Sequence, residues 1–307
     1  MKIGYFADGP WAHKAIEKIV SDSRFEIVFI VPRFDTQDPV LKEWANKLGV
    51  PFLLAENVNS EQFINVVNQY SVDLLVSMSF NQILKTPILS MAPKGFINCH
   101  AGALPFYRGR NPLNWVLING ESEFGITVHY IDEGIDTGDI IEQHKFPIAD
   151  VDNYSTLLSK AINSCADVLY SALKKLATDT VKRIRQQDIH PIGTYFCQRV
   201  IGDEELTFNQ SAVRVHNFIR AITLPGPGAR CFHNDKEYAV LRSELILGAP
   251  EYIATIGEVT ARNTKGCVVK VADSSILVTQ MSEILEGKIG EKFTPDFRIG
   301  TRFKVGK

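Results

Sequence analysis

Three side chains in this sequence could together handle an acyl group: the amide of Asn98, the imidazole of His100 and the carboxylate of Asp136. Asn98 and His100 flank Cys99 at the polar end of the apolar run Gly95-Phe96-Ile97, which reads as a buried strand entering a loop that contains Gly102 and Pro105. Side chains alternate along a strand, so Asn98 and His100 share one face and Cys99 takes the other. That alternation favours an Asn/His pair over a Cys/His nucleophile pair. Asp136 sits in the turn Gly134-Ile135-Asp136-Thr137-Gly138-Asp139, after a helix-like stretch at 112–119 and a strand-like one at 125–131. A strand-helix-strand excursion of this length can return a loop to the same sheet edge. The carboxylate would then orient the imidazole, which can accept a proton from an attacking amine. The amide can donate to the oxygen of a tetrahedral centre, and one such donor is worth roughly 2.7–4 kcal/mol. Holding amine and acyl donor together contributes up to roughly 7–11 kcal/mol, so binding both reactants matters as much as the three side chains. Taken singly, each of the three also suits a structural role, as a hydrogen-bonded histidine or a turn former.

The elements that must position them are legible from apolar patterning. Strand-like segments at 2–6, 25–31, 74–78 and 95–100 alternate with helix-like ones at 11–21, 40–48 and 61–70, which predicts a Rossmann-like parallel α/β sheet. A long amphipathic stretch at 154–177 closes this first domain. Ligands of open parallel sheets collect beyond the carboxyl ends of the strands, where Asn98 and His100 would lie. The first strand runs into Asp8-Gly9-Pro10-Trp11, which lacks G-x-G-x-x-G. Pro10 suits a first helical turn, and free amides there could hold a phosphate; a plain helix start fits equally well. A polar link from 190–193 to 203–205 separates the halves. Beyond it, 209–222 reads as a helix, and 238–247, 255–260, 267–272 and 275–280 as strands. The predicted organisation is a first domain at 1–190, a linker at 191–205, and a helix plus small β domain at 206–307.

With Leu104-Pro105 and Arg108-Gly109-Arg110 between them, the Asn-x-His strand end and the Gly-x-Asp-x-Gly turn resemble the formyltransferases that use N10-formyltetrahydrofolate. The stretch 108–121 looks most like the nucleotide-sugar N-formyltransferases, which are relatives of methionyl-tRNA formyltransferase. Asn209-Gln210-Ser211-Ala212, Asn217, Arg220-Ala221 and 225–229 occur in related form in both branches. The resemblance implies that Asn98, His100 and Asp136 are catalytic, that N10-formyltetrahydrofolate is a co-substrate, and that no metal is required. It implies an acceptor amine on a nucleotide-linked amino sugar, in polysaccharide biosynthesis, with methionyl-tRNA as the alternative. The pterin would lie against the loops 77–83 and 132–138, with Met78, Phe80, Ile83, Asp132 and Gly138 as contacts. The nucleotide sugar would meet Gly9, Trp11, Arg108 and Arg110. The second domain would be a small OB-like barrel. Many relatives carry Ser-Leu-Leu-Pro where this chain has Gly102-Ala103-Leu104-Pro105, a departure that spares the three catalytic positions.

Charge bears on the acceptor. Lys and Arg number 33 against 35 Asp and Glu, a net charge of −2, without the basic footprint that tRNA binding calls for. Lys182-Arg183-Ile184-Arg185 is short and reads as a solvated helix end. A small anionic substrate, and no nucleic-acid partner, is the expectation. The β domain has no aromatic and basic stripe for single strands, so it reads as a dimerisation or scaffold unit, and a homodimer is expected. At 307 residues and 45% hydrophobic content the chain can fill two cores. Five cysteines without CxxC spacing imply neither zinc nor a disulfide framework. The chain starts directly in a strand, without a signal core or an apolar run of ~18 residues, so no membrane association and a cytoplasmic location are expected.

Overall fold

The apolar run at the amino terminus becomes the inner part of a six-stranded sheet. The computed structural model describes Met1–Val305. In chain order it begins with β1 (Lys2–Ala7), α1 (Gly9–Val20), β2 (Glu26–Pro32), α2 (Pro39–Leu48), α3 (Glu61–Val67), β3 (Leu74–Met78) and a short α4 (Thr86–Leu89). There follow β4 (Phe96–His100), β5 (Arg108–Gly109), α5 (Pro112–Ile118), β6 (Glu123–Tyr130), β7 (Ile140–Pro147), α6 (Tyr154–Ala177), α7 (Gln186–Ile189) and β8 (Tyr195–Phe196). Two compact units result: one from Met1–Pro112, Phe124–Phe146 and Ser159–Phe196, the other from Leu113–Glu123, Pro147–Leu158 and the chain from Cys197 onward.

The sheet of the first unit has the order β2-β1-β3-β4-β6-β7. The parallel arrangement holds for β2, β1, β3 and β4. β6 runs antiparallel to β4, so the sheet is mixed, and this reversal sets His129 opposite Asn98. Local chemistry sets the element ends. The Asp38 carboxylate accepts from the Val40 and Leu41 amides to start α2, and Gly49 at φ 66° ends it; the Ser60 hydroxyl starts α3 on the Phe63 amide. These are side-chain caps on amides that a helix cannot satisfy itself. Apolar faces on both sides of β1 make the core. The Phe6 ring meets Phe29, Phe63, Phe80 and Phe96 at centroid distances of 6.1, 6.3, 5.5 and 5.0 Å.

Two sequence expectations change here. Lys182–Arg185 is no helix end: α6 stops at Ala177, Ile184 bridges Ile140, and the Arg183 guanidinium stacks 4.0 Å from the Tyr130 ring centroid. The segment is exposed, as expected, and cation–π attraction steadies the Arg183 side chain on the Tyr130 ring. The stretch expected to be linker also contributes β8, which pairs in parallel with β5.

The second unit contains α8 (Ala212–Ile222), β9 (Ala229–His233), β10 (Lys236–Leu245), β11 (Val259–Asn263), β12 (Gly266–Lys270), β13 (Ser275–Leu285) and β14 (Lys288–Phe293). Its sheet runs β11-β12-β13-β10-β9, with β14 on β13, and its paired strands are antiparallel. α8 starts later than 209 because the Ser211 hydroxyl caps it on the Arg214 amide. The strand expected at 255–260 is shifted to β11, and β9 and β14 lie outside the predicted segments. Lys270 is 1% exposed. Its ammonium donates to the carbonyls of Val271, Ala272, Asp273 and Ser274 and sits 4.4 Å from the Tyr252 ring centroid. Among the described residues no helix is long and apolar enough to cross a membrane.

Phe6→Ala removes the ring at the centre of the first core and is expected to cost about 3–5 kcal/mol. Urea unfolding measures it; a loss under about 1 kcal/mol would contradict the packing described.

Candidate functional site

β4 delivers Asn98 and His100 to one face, as strand alternation requires. Cys99 points the other way, its thiol 3.7 Å from the Cys165 carbonyl of α6. β6 sets Thr127 opposite His100 and His129 opposite Asn98. His129, 2% exposed, is the site residue that sequence reasoning missed. Its signal was the period-two pairing of Thr127 with His129 inside an otherwise apolar strand.

Asp136 joins these side chains from a left-handed turn position, φ 54°. Its Oδ2 lies 3.6 Å from His100 Nδ1, and its Oδ1 lies 3.4 Å from His129 Nε2. The Gly109 amide donates to Oδ2 at 2.9 Å. Asn98 Nδ2 is 3.4 Å from the same His129 nitrogen. The three predicted catalytic residues are therefore brought together, with His129 as a fourth member. Burial pushes the Asp136 carboxyl up, but the His100 and His129 imidazoles and the Gly109 amide outweigh it and hold the group well below the usual carboxylate range.

His100 is 7% exposed, and its Nε2 donates to the Tyr107 carbonyl at 2.7 Å. A carbonyl only accepts, so that nitrogen carries a hydrogen. Gly102 makes the contact possible: a Cβ there would stand 2.5 Å from His100 Nε2 and 2.7 Å from the Tyr107 oxygen. The loop is pinned from β6 and β7, with the Thr127 hydroxyl donating to the Gly102 carbonyl at 2.7 Å and Gln143 Nε2 to the Leu104 carbonyl at 2.8 Å.

The remaining predicted residues are placed as follows. Arg108 spends its donors inside the unit, Nε and a terminal nitrogen on Gln186 Oε1 at 3.0 and 2.6 Å and the other nitrogen on the Tyr195 hydroxyl at 3.1 Å. Arg110 is exposed. The Gly9 amide is already taken by Asp38 Oδ2 at 2.8 Å, an oxygen also 2.8 Å from His13 Nε2. Asp8, which accepts from the Thr36 hydroxyl, adds a second carboxylate at that helix start. Of the two readings of this turn, a phosphate site or a plain helix start, the internal carboxylate on the Gly9 amide matches the second. Trp11 is half-buried. Met78, the last residue of β3, is 1% exposed and part of the core. Phe80 packs edge-on against Phe6, whereas Ile83 is 71% exposed. Between these two loop residues and β3, Ser79 sits at φ 60°, braced by Arg33 through its carbonyl at 2.7 Å and its hydroxyl at 3.0 Å. Asp132 shapes its own turn by accepting from the Gly134 amide and the Thr137 hydroxyl, and Gly138 lies where a side chain would strike the Tyr130 carbonyl. An amide, two imidazoles and an ionised carboxylate at one sheet edge can move a proton and donate to a developing oxyanion.

Comparison with known proteins agrees with this chemistry. The family described as formyl transferase matches residues 1–173, and the one described as formyl transferase, C-terminal domain, matches residues 202–289. Methionyl-tRNA formyltransferase of Desulforamulus reducens is 27% identical over 315 residues, an alignment that spans 98% of each chain. The fold is similar to that of WlaRD, a sugar 3N-formyl transferase solved in the presence of dTDP and 5-N-formyl-THF, with TM-score 0.71, 22% identity, and 91% of this chain and 97% of that one covered. It is also similar to the N-formyltransferase from Helicobacter canadensis in complex with folinic acid and dTDP-3-aminofucose, with TM-score 0.69, 21% identity, and coverage of 91% and 99%.

Two outcomes follow from the geometry. Gly102→Ala must drive the imidazole off the Tyr107 carbonyl, so the His100 Nε2–H resonance should shift and exchange faster with water; an unchanged resonance would contradict the contact. Asp136→Asn should destabilise the protein at neutral pH. Because the folded carboxyl is held low, the wild-type advantage is complete above about pH 4 and shrinks as pH falls below it. Unfolding curves from pH 7 to pH 3 test this, and a difference independent of pH would refute it.

Proposed function

The chain belongs to the formyl transferase family, and from that premise we propose that it transfers a formyl group from N10-formyltetrahydrofolate to the amino group of a nucleotide-linked amino sugar. The observation that carries the reading is the gathering of Asn98, His100 and Asp136 at the carboxyl end of β4, a donor set suited to acyl transfer onto an amine. N10-formyltetrahydrofolate supplies the electrophilic carbon. Backbone groups of the loops around Phe80 and Ile83 and around Asp132 and Gly138 would hold it, next to the strand ends that carry the reacting side chains.

Each residue then has a distinct task. Asn98 donates its amide hydrogen to the oxygen that becomes negative as the amine adds. His100 takes the amine proton as the amine adds and returns it to N10 as the bond from the formyl carbon to N10 breaks and tetrahydrofolate leaves. Asp136, ionised beside both imidazoles, balances the positive charge that His100 gains, and His129 fixes the carboxylate from its other oxygen. In the arrangement described, His100 Nε2 already carries a hydrogen that is donated to Tyr107. Proton uptake at that nitrogen therefore requires the Tyr107 carbonyl to release it and that hydrogen to pass to Nδ1, which faces Asp136 Oδ2 at 3.6 Å, so that the incoming proton makes the ring an imidazolium.

Two considerations favour a sugar acceptor. WlaRD and the Helicobacter canadensis enzyme were solved with dTDP and a dTDP-linked amino sugar respectively, and a net charge of −2 offers little electrostatic pull on tRNA. With Arg108 committed to Gln186 and Tyr195, the exposed Arg110 is the better candidate to meet the diphosphate, and Trp11 offers a ring near the start of α1. The end-to-end match to a methionyl-tRNA formyltransferase supports a second reading.

A formyl-transfer assay with N10-formyltetrahydrofolate, UDP-, dTDP- and GDP-linked amino sugars, and charged initiator tRNA decides between them. Formylation of a sugar nucleotide is expected; formylation of tRNA alone would overturn the proposal. His100→Ala should lower turnover by about a hundredfold or more, and turnover at the wild-type rate would remove His100 from the mechanism.

A further inference from the structure

Gln186, the first residue of α7, is 3% exposed and uses both ends of its carboxamide. Its Nε2 donates to the carbonyls of Asp136 and Gly138, each at 2.8 Å. Its Oε1 accepts from Arg108 Nε at 3.0 Å and from a terminal Arg108 nitrogen at 2.6 Å. Two hydrogens and two lone pairs is the full capacity of a glutamine side chain, so none is left over.

These contacts close a ring. Arg108 precedes Gly109 in the chain, the Gly109 amide holds the Asp136 carboxylate at 2.9 Å, and the Asp136 carbonyl returns to Gln186. Arg108 is steadied further by the pairing of β5 with β8 and by the Tyr195 ring 5.2 Å beneath its guanidinium. The ring passes through the one catalytic candidate with a left-handed backbone, Asp136 at φ 54°. For a residue with a side chain such a conformation persists only when its surroundings over-determine it. Gln186 holds that residue by its main chain while Gly109 holds it by its side chain. Without the carboxamide, the Asp136 and Gly138 carbonyls lose a shared donor and the guanidinium loses an acceptor. The turn then loses its main-chain tie to α7, and the Asp136 carboxylate is left to the Gly109 amide and the two imidazoles alone.

We propose that Gln186 is a positioning residue for formyl transfer, locking the Asp136 turn to the Arg108 loop so that the carboxylate faces the His100 and His129 imidazoles. The proposal rests on the formyl-transfer reading above. It predicts a defect in the chemical step rather than in substrate binding, because a reacting group displaced by about 1 Å can cost about a hundredfold in rate.

Gln186→Met keeps the length and volume and removes every polar contact. Gln186→Glu keeps an acceptor for Arg108 and removes the donor to both carbonyls. The two variants are assayed with N10-formyltetrahydrofolate and the sugar-nucleotide panel, and the Asp136 carboxyl carbon is followed by NMR through an acid titration. In both variants kcat should fall about ten- to hundredfold while KM for each substrate stays within about twofold, and the Asp136 resonance should titrate at higher pH than in the wild type. Wild-type kcat in either folded variant, a defect confined to KM, or an Asp136 titration identical to wild type would each overturn the proposal. Should one variant fail to fold, the other decides. If the wild-type protein formylates no member of the panel, the functional reading fails by itself, and the carboxyl titration still judges the clamp.

Discussion

A carboxylate kept ionised in a place shielded from water is the constraint around which the site is built. Removing a charge from water is costly unless partners replace the lost hydration. Asp136 finds them in two imidazoles and one main-chain amide. Each partner imposes something on the fold. His129 can face the carboxylate only because β6 reverses direction beside β4 and sets it across from Asn98. The Gly109 amide is available because the loop after β4 is tied down as a short strand against β8. Several features that look independent are thus requirements of one ion.

What the sequence made legible was whatever is decided locally. Alternation along 96–100 put Asn98 and His100 on one face, and the glycines around Asp136 marked a turn. The strands β1 to β4 were read from their apolar runs, each to within one residue at its ends, whereas α3 stops three residues short of the expected 70 and α4 was not foreseen. What escaped depends on partners far along the chain. Arg108 looked like a free cation, but its acceptors come from Gln186 and Tyr195, 78 and 87 residues away. The Gly9 amide looked open, and Asp38, 29 residues on, fills it. The alternation of Thr127 with His129 marked one polar face of β6, but its partner Asp136 lies beyond the strand, and a lone histidine there reads equally well as a core residue, so His129 was passed over. The pair β5 and β8 is two residues long on each side, too short for any period to show.

The start of α1 shows an anion site filled from within the chain. A helix amino terminus attracts anions through its unpaired amides and its dipole. Here the anion is internal: Asp38 caps α2 on the Val40 and Leu41 amides and reaches the Gly9 amide with its other oxygen. One carboxylate serves two helices and a histidine, binding together the segments that follow β1 and β2.

Position 102 and the carbonyl of residue 107 compete for one small volume beside the imidazole. Absence of a side chain at the first allows the second to approach. In a lineage descended from this chain, a hydroxyl-bearing residue at 102 would be tolerated only alongside a rerouted backbone at 107. The two sites should therefore drift as an epistatic pair, although neither contributes a functional group to the reaction.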